Sequence, residues 1–325
     1  MFYLYALIVV IPLVAFYALF VRAVDRYEPE PWWALAASFA WGALGAVVLA
    51  IVGSVLLQIP VGAVVNDAQA ANAIGATFIA PITEESAKGL GVIVIFVIGH
   101  VIFHEFDGPL DGLIYGGLIG LGFTLTEDTL YIGSAGTDGG WGAFLTLTVL
   151  RTVLGGLGHA MYTGMIGFGW GMVVISRSWI AKVWWPCFGF GVGMLLHGVH
   201  NALPSYLGEI GGLMSVAIDF VYLGAWFLLV VVLVVRERGV IMRQLENEIG
   251  ATLRDRSELR LIGSFFKRSL RGILSARATR KRWRALVELA LIKEKRANEP
   301  DRTSLVEAER RARAEIAYWV SRGAR

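Results

Sequence analysis

The stretch AIGATFIAPITEESAKGLGVIVIFVIGH, residues 73–100, is long and apolar enough to cross a bilayer, yet Glu84, Glu85 and Lys88 sit near its middle. A crossing helix needs about 20 mostly apolar residues. An Asp, Lys or Arg at its centre costs about 2.5–3.5 kcal/mol on an insertion scale, so intramembrane charges are rare and mark function by default. The segment therefore reads as a membrane helix built around a polar task.

Working outward, six more stretches qualify as spans, near 2–21, 32–58, 110–133, 142–176, 183–206 and 212–235. Seven spans predict an all-α, polytopic membrane helix bundle over 1–235, followed by a helical tail over 236–325. The fifth span is long for one crossing; it tilts, kinks near Gly155 and Gly156, or begins as a re-entrant piece. Composition agrees. Of 325 residues 56% are hydrophobic and 17% charged, with mean hydropathy +0.62, against about 45–50% and about 25% for a soluble chain. A single cysteine, Cys187, excludes a disulfide scaffold and a Cys-based zinc ribbon. Thirty-nine glycines suit close helix packing in lipid.

The net charge of +3 hides a division: residues 1–235 carry −8 and residues 236–325 carry +11. Arg22 and Arg26, then Arg177 and Lys182, then the tail fall on one side of a seven-span arrangement. The loops holding Asp67, Asp138 and Glu209 have no Lys or Arg and fall on the other. The positive-inside rule puts the tail in the cytoplasm and the N-terminus outside, in a multi-pass protein of the cell membrane. The first span has no basic stretch before it and no clear cleavage site, so it reads as an uncleaved anchor. A basic tail directly after membrane spans points to anionic lipids of the inner leaflet and not to nucleic acid. Its helical runs are expected over 242–261, 265–292 and 303–322, with Pro300 between the last two.

Four successive spans carry ionisable groups at similar depth. They are Glu84, Glu85 and Lys88; Glu127 and Asp128; Arg151 and His159; and His197, His200 and Asn201. At about 1.5 Å per residue, Glu85, Glu127, His197 and Asn201 fall within roughly 10 Å of depth in the outer half of the bilayer. Asp219, alone in the seventh span, reads as a packing or interfacial residue. Glu84 and Lys88 are four apart and share a face, so Lys88 can hold one carboxylate ionised. Arg151 is a second counter-ion. His197 and Asn201 project together, and His200 can stand in for either.

Two carboxylates and two imidazoles fit a mononuclear zinc site or a metal-free acid/base site. Shared depth and order along the chain suggest that Glu127, His159 and His197 hold zinc or the water and that Glu84 or Glu85 is the general base. Asn201 donates to an oxyanion. Such a set is what an enzyme needs to bring water to a peptide bond inside a membrane.

Four motifs in order carry a family resemblance: Glu84-Glu85-Ser86-Ala87-Lys88, matching E-E-x-x-K; Phe123-Thr124-Leu125-Thr126-Glu127, matching F-x-x-x-E; Arg151 with His159; and His197-Gly198-Val199-His200-Asn201, matching H-x-x-x-N. The link from Asp25 to Pro31 adds to it. Together they resemble the PrsW family of intramembrane proteases, in the broader group that includes the CAAX prenyl proteases. Asp128 departs from the pattern, which often has Asn there. The resemblance implies cleavage of membrane-anchored protein substrates, an anti-sigma factor or similar regulator among them. It implies Glu84, Glu85, Glu127, His159 and His197 as the functional set. Zinc is the family's presumed metal, although glutamate chemistry without metal has been argued for the related prenyl proteases.

Competing signatures are weaker. Leu110-Asp111-Gly112 resembles part of a site-2 protease pattern, but the H-E-x-x-H is missing. Gly133-Ser134-Ala135-Gly136 is like a rhomboid serine loop with no matching His. His100 and His104, beside Glu105 and Asp107, read as a solvated helix end that could bind a metal. Other classes are an ion-coupled transporter, for which no inverted repeat is found, and a non-catalytic membrane scaffold, against which the intact polar set argues.

Overall fold

A computed structural model describes residues 1–24, 27, 29–103, 106–298 and 303–324, which form helices and turns with no sheet among them. Among the described residues four helices are long and apolar enough to cross a membrane: Phe2–Val24, Trp32–Val64, Pro109–Ile175 and Trp179–Glu246. The first is α1. The second joins α2 (Trp32–Ala40) to α3 (Val47–Val64) through a π-helical stretch, Trp41–Ala46. The expected span over 73–100 is assembled from pieces: α4 (Ala68–Ile74), π-helical Gly75–Ile79, α5 (Ala80–Phe96) and π-helical Val97–Phe103. The third long helix comprises α6 (Pro109–Leu147), π-helical Thr148–Leu154 and α7 (Gly158–Ile175); the fourth is α8 (Trp179–Glu246). Both α6 and α8 are bent at a glycine with positive φ, Gly140 at 70° and Gly208 at 59°, a conformation that side chains with a Cβ avoid.

The chain divides into two compact units. The first comprises Met1–Val24 and Glu30–Val230. Its outward faces are bare and apolar, with Val48, Ile51, Val55 and Leu56 exposed along α3, as lipid-facing surface must be. Inside it, α6 and α7 lie backbone against backbone. Gly112, Gly116 and Gly120 line one face of α6, where a Cβ would collide with the carbonyls of Gly167, Thr163 and His159 on α7. Small residues at four-residue spacing permit this approach, and it fixes where His159 stands.

The second unit comprises Tyr27, Pro29 and the chain from Val231 onward. After α8 it forms α9 (Arg256–Ile262), α10 (Phe265–Leu274), α11 (Arg277–Asn298) and α12 (Thr303–Ser321). The long run expected over 242–261 is interrupted. Gly250 turns the chain at φ 87°, and Asp255 restarts the helix by accepting from the Ser257 and Glu258 amides at 2.7 and 2.9 Å, an N-cap. The run expected over 265–292 breaks at Ser275. Leu245, Leu259, Ile262, Leu286, Leu289 and Ile316 form the core of this unit. Pro300 lies outside the described residues.

Candidate functional site: a buried Glu–Lys–His cluster

Helix α5 presents Glu84, Glu85 and Lys88 to the interior of the first unit. Lys88 and Glu85 have no exposed side-chain surface. An ammonium has three protons and no lone pair. Lys88 Nζ directs them at Glu85 Oε1 (2.8 Å), Glu84 Oε2 (3.3 Å) and His159 Nδ1 (3.0 Å), and stands 3.7 Å from the centre of the Phe123 ring. Both carboxylates share this cation, whereas the sequence suggested that it neutralises one.

Because Lys88 can only donate, His159 Nδ1 accepts and its proton sits on Nε2. That nitrogen faces Glu127 Oε2 at 2.6 Å. The same oxygen takes Arg151 Nη2 at 2.5 Å, and Arg151 Nε reaches Asp128 Oδ1 at 2.9 Å. Asp128 also accepts from Thr152 Oγ1 at 2.7 Å, so this departure from the family pattern belongs to the Arg151 pair. The Arg151 guanidinium covers the Tyr131 ring at 4.2 Å. One continuous charged network thus links α5, α6, the π-helical stretch before α7, and α7 itself.

Helix α8 closes the site with His197. Its Nδ1 lies 3.0 Å from Glu85 Oε1, and its Nε2 lies 3.8 Å from Glu84 Oε2. Thr163 Oγ1 donates to the second oxygen of Glu85 at 2.9 Å. The imidazoles of His159 and His197 meet edge to face at 5.0 Å. Ligand atoms of Glu84, His159 and His197 all lie within 4.8 Å of one another, and the three residues are buried.

The structure therefore gathers Glu84, Glu85, Lys88, Glu127, Arg151, His159 and His197. It sets two candidates apart. Asn201 Nδ2 donates to Ala76 O at 3.0 Å, so the group expected to face an oxyanion instead ties α8 to the π-helical stretch before α5. His200 turns to Asp219: its Nδ1 stands 2.9 Å from Asp219 Oδ2, off the line of a hydrogen bond, so both atoms are buried without a hydrogen-bond partner among the described residues. The metal-capable triad contains Glu84 where the sequence suggested Glu127.

Three participants escaped the sequence reading. Thr163 satisfies Glu85. Tyr162 stacks on His197 at 5.1 Å and 17°, and its hydroxyl donates to Asp219 Oδ1 at 3.0 Å. Asp219, read as a packing residue, is thereby the anchor of the ring that flanks His197. Tyr162 and Thr163 lie three and four residues after His159, on its helical face; that spacing was the available signal.

The weaker signatures have local explanations. Asp111 caps α6, accepting from the amides of Asp107 (2.6 Å) and Gly108 (2.8 Å). Ser134 donates to Asp138 at 3.2 Å on an exposed helix face. His100 pairs with Phe106 O at 3.0 Å and stacks on Phe96; His104 and Glu105 lie outside the described residues.

Comparison with known proteins supplies a family. The profile described as "PrsW family intramembrane metalloprotease" matches residues 30–235, a range that contains every residue of the cluster. A curated relative, Protease PrsW of Geobacillus kaustophilus (strain HTA426), is 28% identical over 179 residues, covering 55% of this chain and 70% of the relative. No solved structure matches.

Proposed function

Since this chain belongs to the PrsW family of intramembrane metalloproteases and is a membrane peptidase by that kinship, we propose that it hydrolyses membrane-anchored protein substrates, an anti-sigma factor or similar regulator among them, at the Glu–Lys–His cluster. The observation that carries the reading is the convergence of Glu84, His159 and His197, from three separate helices, to within 4.8 Å.

These donors fit zinc: two imidazoles and a carboxylate are a catalytic ligand set that leaves a position for water. Glu84, His159 and His197 would hold the ion, with Lys88 or Glu127 yielding its place on the His159 ring. A zinc ion bound there supplies Lewis acidity and a water acidified toward neutrality. The chain's own side chains do the rest. Glu85, saturated by Lys88, His197 and Thr163, orients the His197 ring through Nδ1, as carboxylate partners of ligand histidines do. Glu84 and Glu127 retain 11% and 14% of their side-chain surface against none for Glu85, so water and substrate reach them first. Glu127 takes the proton from the attacking water and passes it to the leaving amine. Relative to the sequence expectation, Glu84 and Glu127 exchange roles. Arg151 holds the Glu127 carboxylate in place, and Tyr162, fixed by Asp219, keeps the His197 ring from turning.

A metal-free glutamate centre is the second reading. One observation favours it: Lys88 already places a positive charge among Glu84, Glu85 and His159. Elemental analysis of the purified protein, beside cleavage assays of Glu84→Gln and His197→Ala, tests both. About one zinc per chain, lost in both variants together with cleavage, supports the metal site. Full cleavage of a verified substrate by both variants sinks either reading.

For the topology we propose seven crossings, with turns at Gly140 and Gly208, an outer N-terminus, a protease domain over 1–235 and a cytoplasmic tail over 236–325. Reporter fusions after residues 66, 140, 208 and 325 check it; a periplasmic-type signal at 325 overturns it.

A further inference from the structure

Between Glu258 and Glu288 the sequence holds nine basic residues and no acid. Helix α10 lies inside that stretch and is one-sided. Its start is capped by Ser264 Oγ, which accepts from the Lys267 amide at 3.3 Å. Phe265 packs against the core of the second unit and meets Tyr27 ring to ring at 6.1 Å. Phe266 and Leu270, one helical turn apart, are bare, exposing 72% and 66% of their surface. Lys267 and Arg271 are exposed beside them.

We propose that α10 is an interfacial anchor, laying Phe266 and Leu270 into the acyl boundary of an anionic leaflet while Lys267, Arg271 and the exposed Arg277 meet its phosphates. Two features select this partner. A short helix with an apolar face and a basic flank is what binds in the plane of a charged membrane surface. Polybasic segments next to a crossing are drawn to anionic lipid, and α8 enters this unit from a strongly apolar stretch. A nucleic acid would use the bases but leaves the bare Phe266 and Leu270 without a role; an acidic protein would match both but is not held beside the chain as lipid is. The inference rests on membrane residence alone and stands whether or not the peptidase chemistry is as proposed.

The test uses the full chain in lipid nanodiscs. Cys187, the only cysteine, is replaced by Ser, and an environment-sensitive fluorophore is attached at Leu270→Cys and, separately, at Phe266→Cys. In discs of phosphatidylcholine with phosphatidylglycerol at low salt, both labels shift to the blue and are quenched by bromine on the acyl chains. In phosphatidylcholine alone, or with Lys267→Gln and Arg271→Gln together, the shift and the quenching are lost. Water-like emission at both sites in the anionic discs overturns the proposal. So does a shift produced only by added RNA or by an acidic polypeptide, which would assign the face to a soluble polyanion.

Discussion

The two units use ion pairs in opposite ways. In the second unit Glu248 is gripped by Arg313 and Lys293, and Arg282 by Glu258, at the edge of an ordinary apolar core. These pairs join α11 and α12 to the turn after α8 and to α9; Arg313 and Lys293 stay partly open to water, and Arg282, though covered, ties two surface helices together. In the first unit Lys88 and Glu85 are fully withdrawn, where removing charge from water costs more than good packing of apolar groups would. A bundle seeking only stability would have no reason to keep them. The contrast separates charges that hold a fold from charges that a fold is built to hold.

That contrast can be broken most directly at the site. Glu127→Gln should lower cleavage by about 100- to 10,000-fold, the range of a lost general base, with helix content and melting temperature little changed. A loss of folding in step with activity would reduce Glu127 to a structural partner of Arg151.

Next in size, Lys88→Met leaves Glu85 buried without its cation and should cost about 3–5 kcal/mol, read from unfolding in mixed micelles. The double variant Lys88→Met with Glu85→Leu should recover much of that stability while remaining inactive. An unimpaired single variant would refute the account of Lys88 as the hub.

Glu85→Gln keeps the shape but removes the charge and turns one acceptor oxygen into a donor, which weakens the grip on His197. The expected drop in metal affinity or activity is about 10- to 100-fold, smaller than for Glu127. Equality of the two would sharpen the site differently, making Glu85 a direct participant.

The smallest effect belongs to the tail. Hydrogen bonds from Arg313, opposed by partial burial and assisted by Lys293, lower the Glu248 carboxyl from its ordinary 4.5 to about 2. A carboxyl lowered on folding stabilises fully above its unfolded value, and that contribution fades as pH falls from about 4.5 toward 2. Hydrogen exchange in α11 and α12, corrected for intrinsic rates, should therefore accelerate over that window, and Glu248→Gln should weaken the dependence, leaving the part carried by Glu258 and Glu309. Exchange that ignores pH there would mean the pairs do little.

Much of this arrangement was legible in the sequence, for identifiable reasons. A charged residue in an apolar run is a loud signal, so Glu84, Glu85, Lys88, Glu127, Arg151, His159 and His197 could be picked out, and helical periodicity predicted the all-α class. Quieter features were hidden. Thr163 and Tyr162 are ordinary residues in membrane helices until a neighbour needs a hydrogen bond, and Asp219 gains meaning only when α8 folds back to Tyr162. Asn201 misled because spacing shows which face a residue occupies but not what its amide will find. In the tail, Gly250 and Asp255 signalled a stop and a restart, and apolar spacing overrode them.

The seam between α6 and α7 carries one more consequence. His159 reaches Glu127 and Lys88 because Gly120 lacks a methyl group where the His159 carbonyl passes. Adding that single carbon, as Gly120→Ala, would push the imidazole away without touching any ionisable atom. A saturation survey of the gene should then find the silent glycines of α6 as intolerant as the acids, so that mutational sensitivity maps the clearance between two backbones as faithfully as it maps the chemistry.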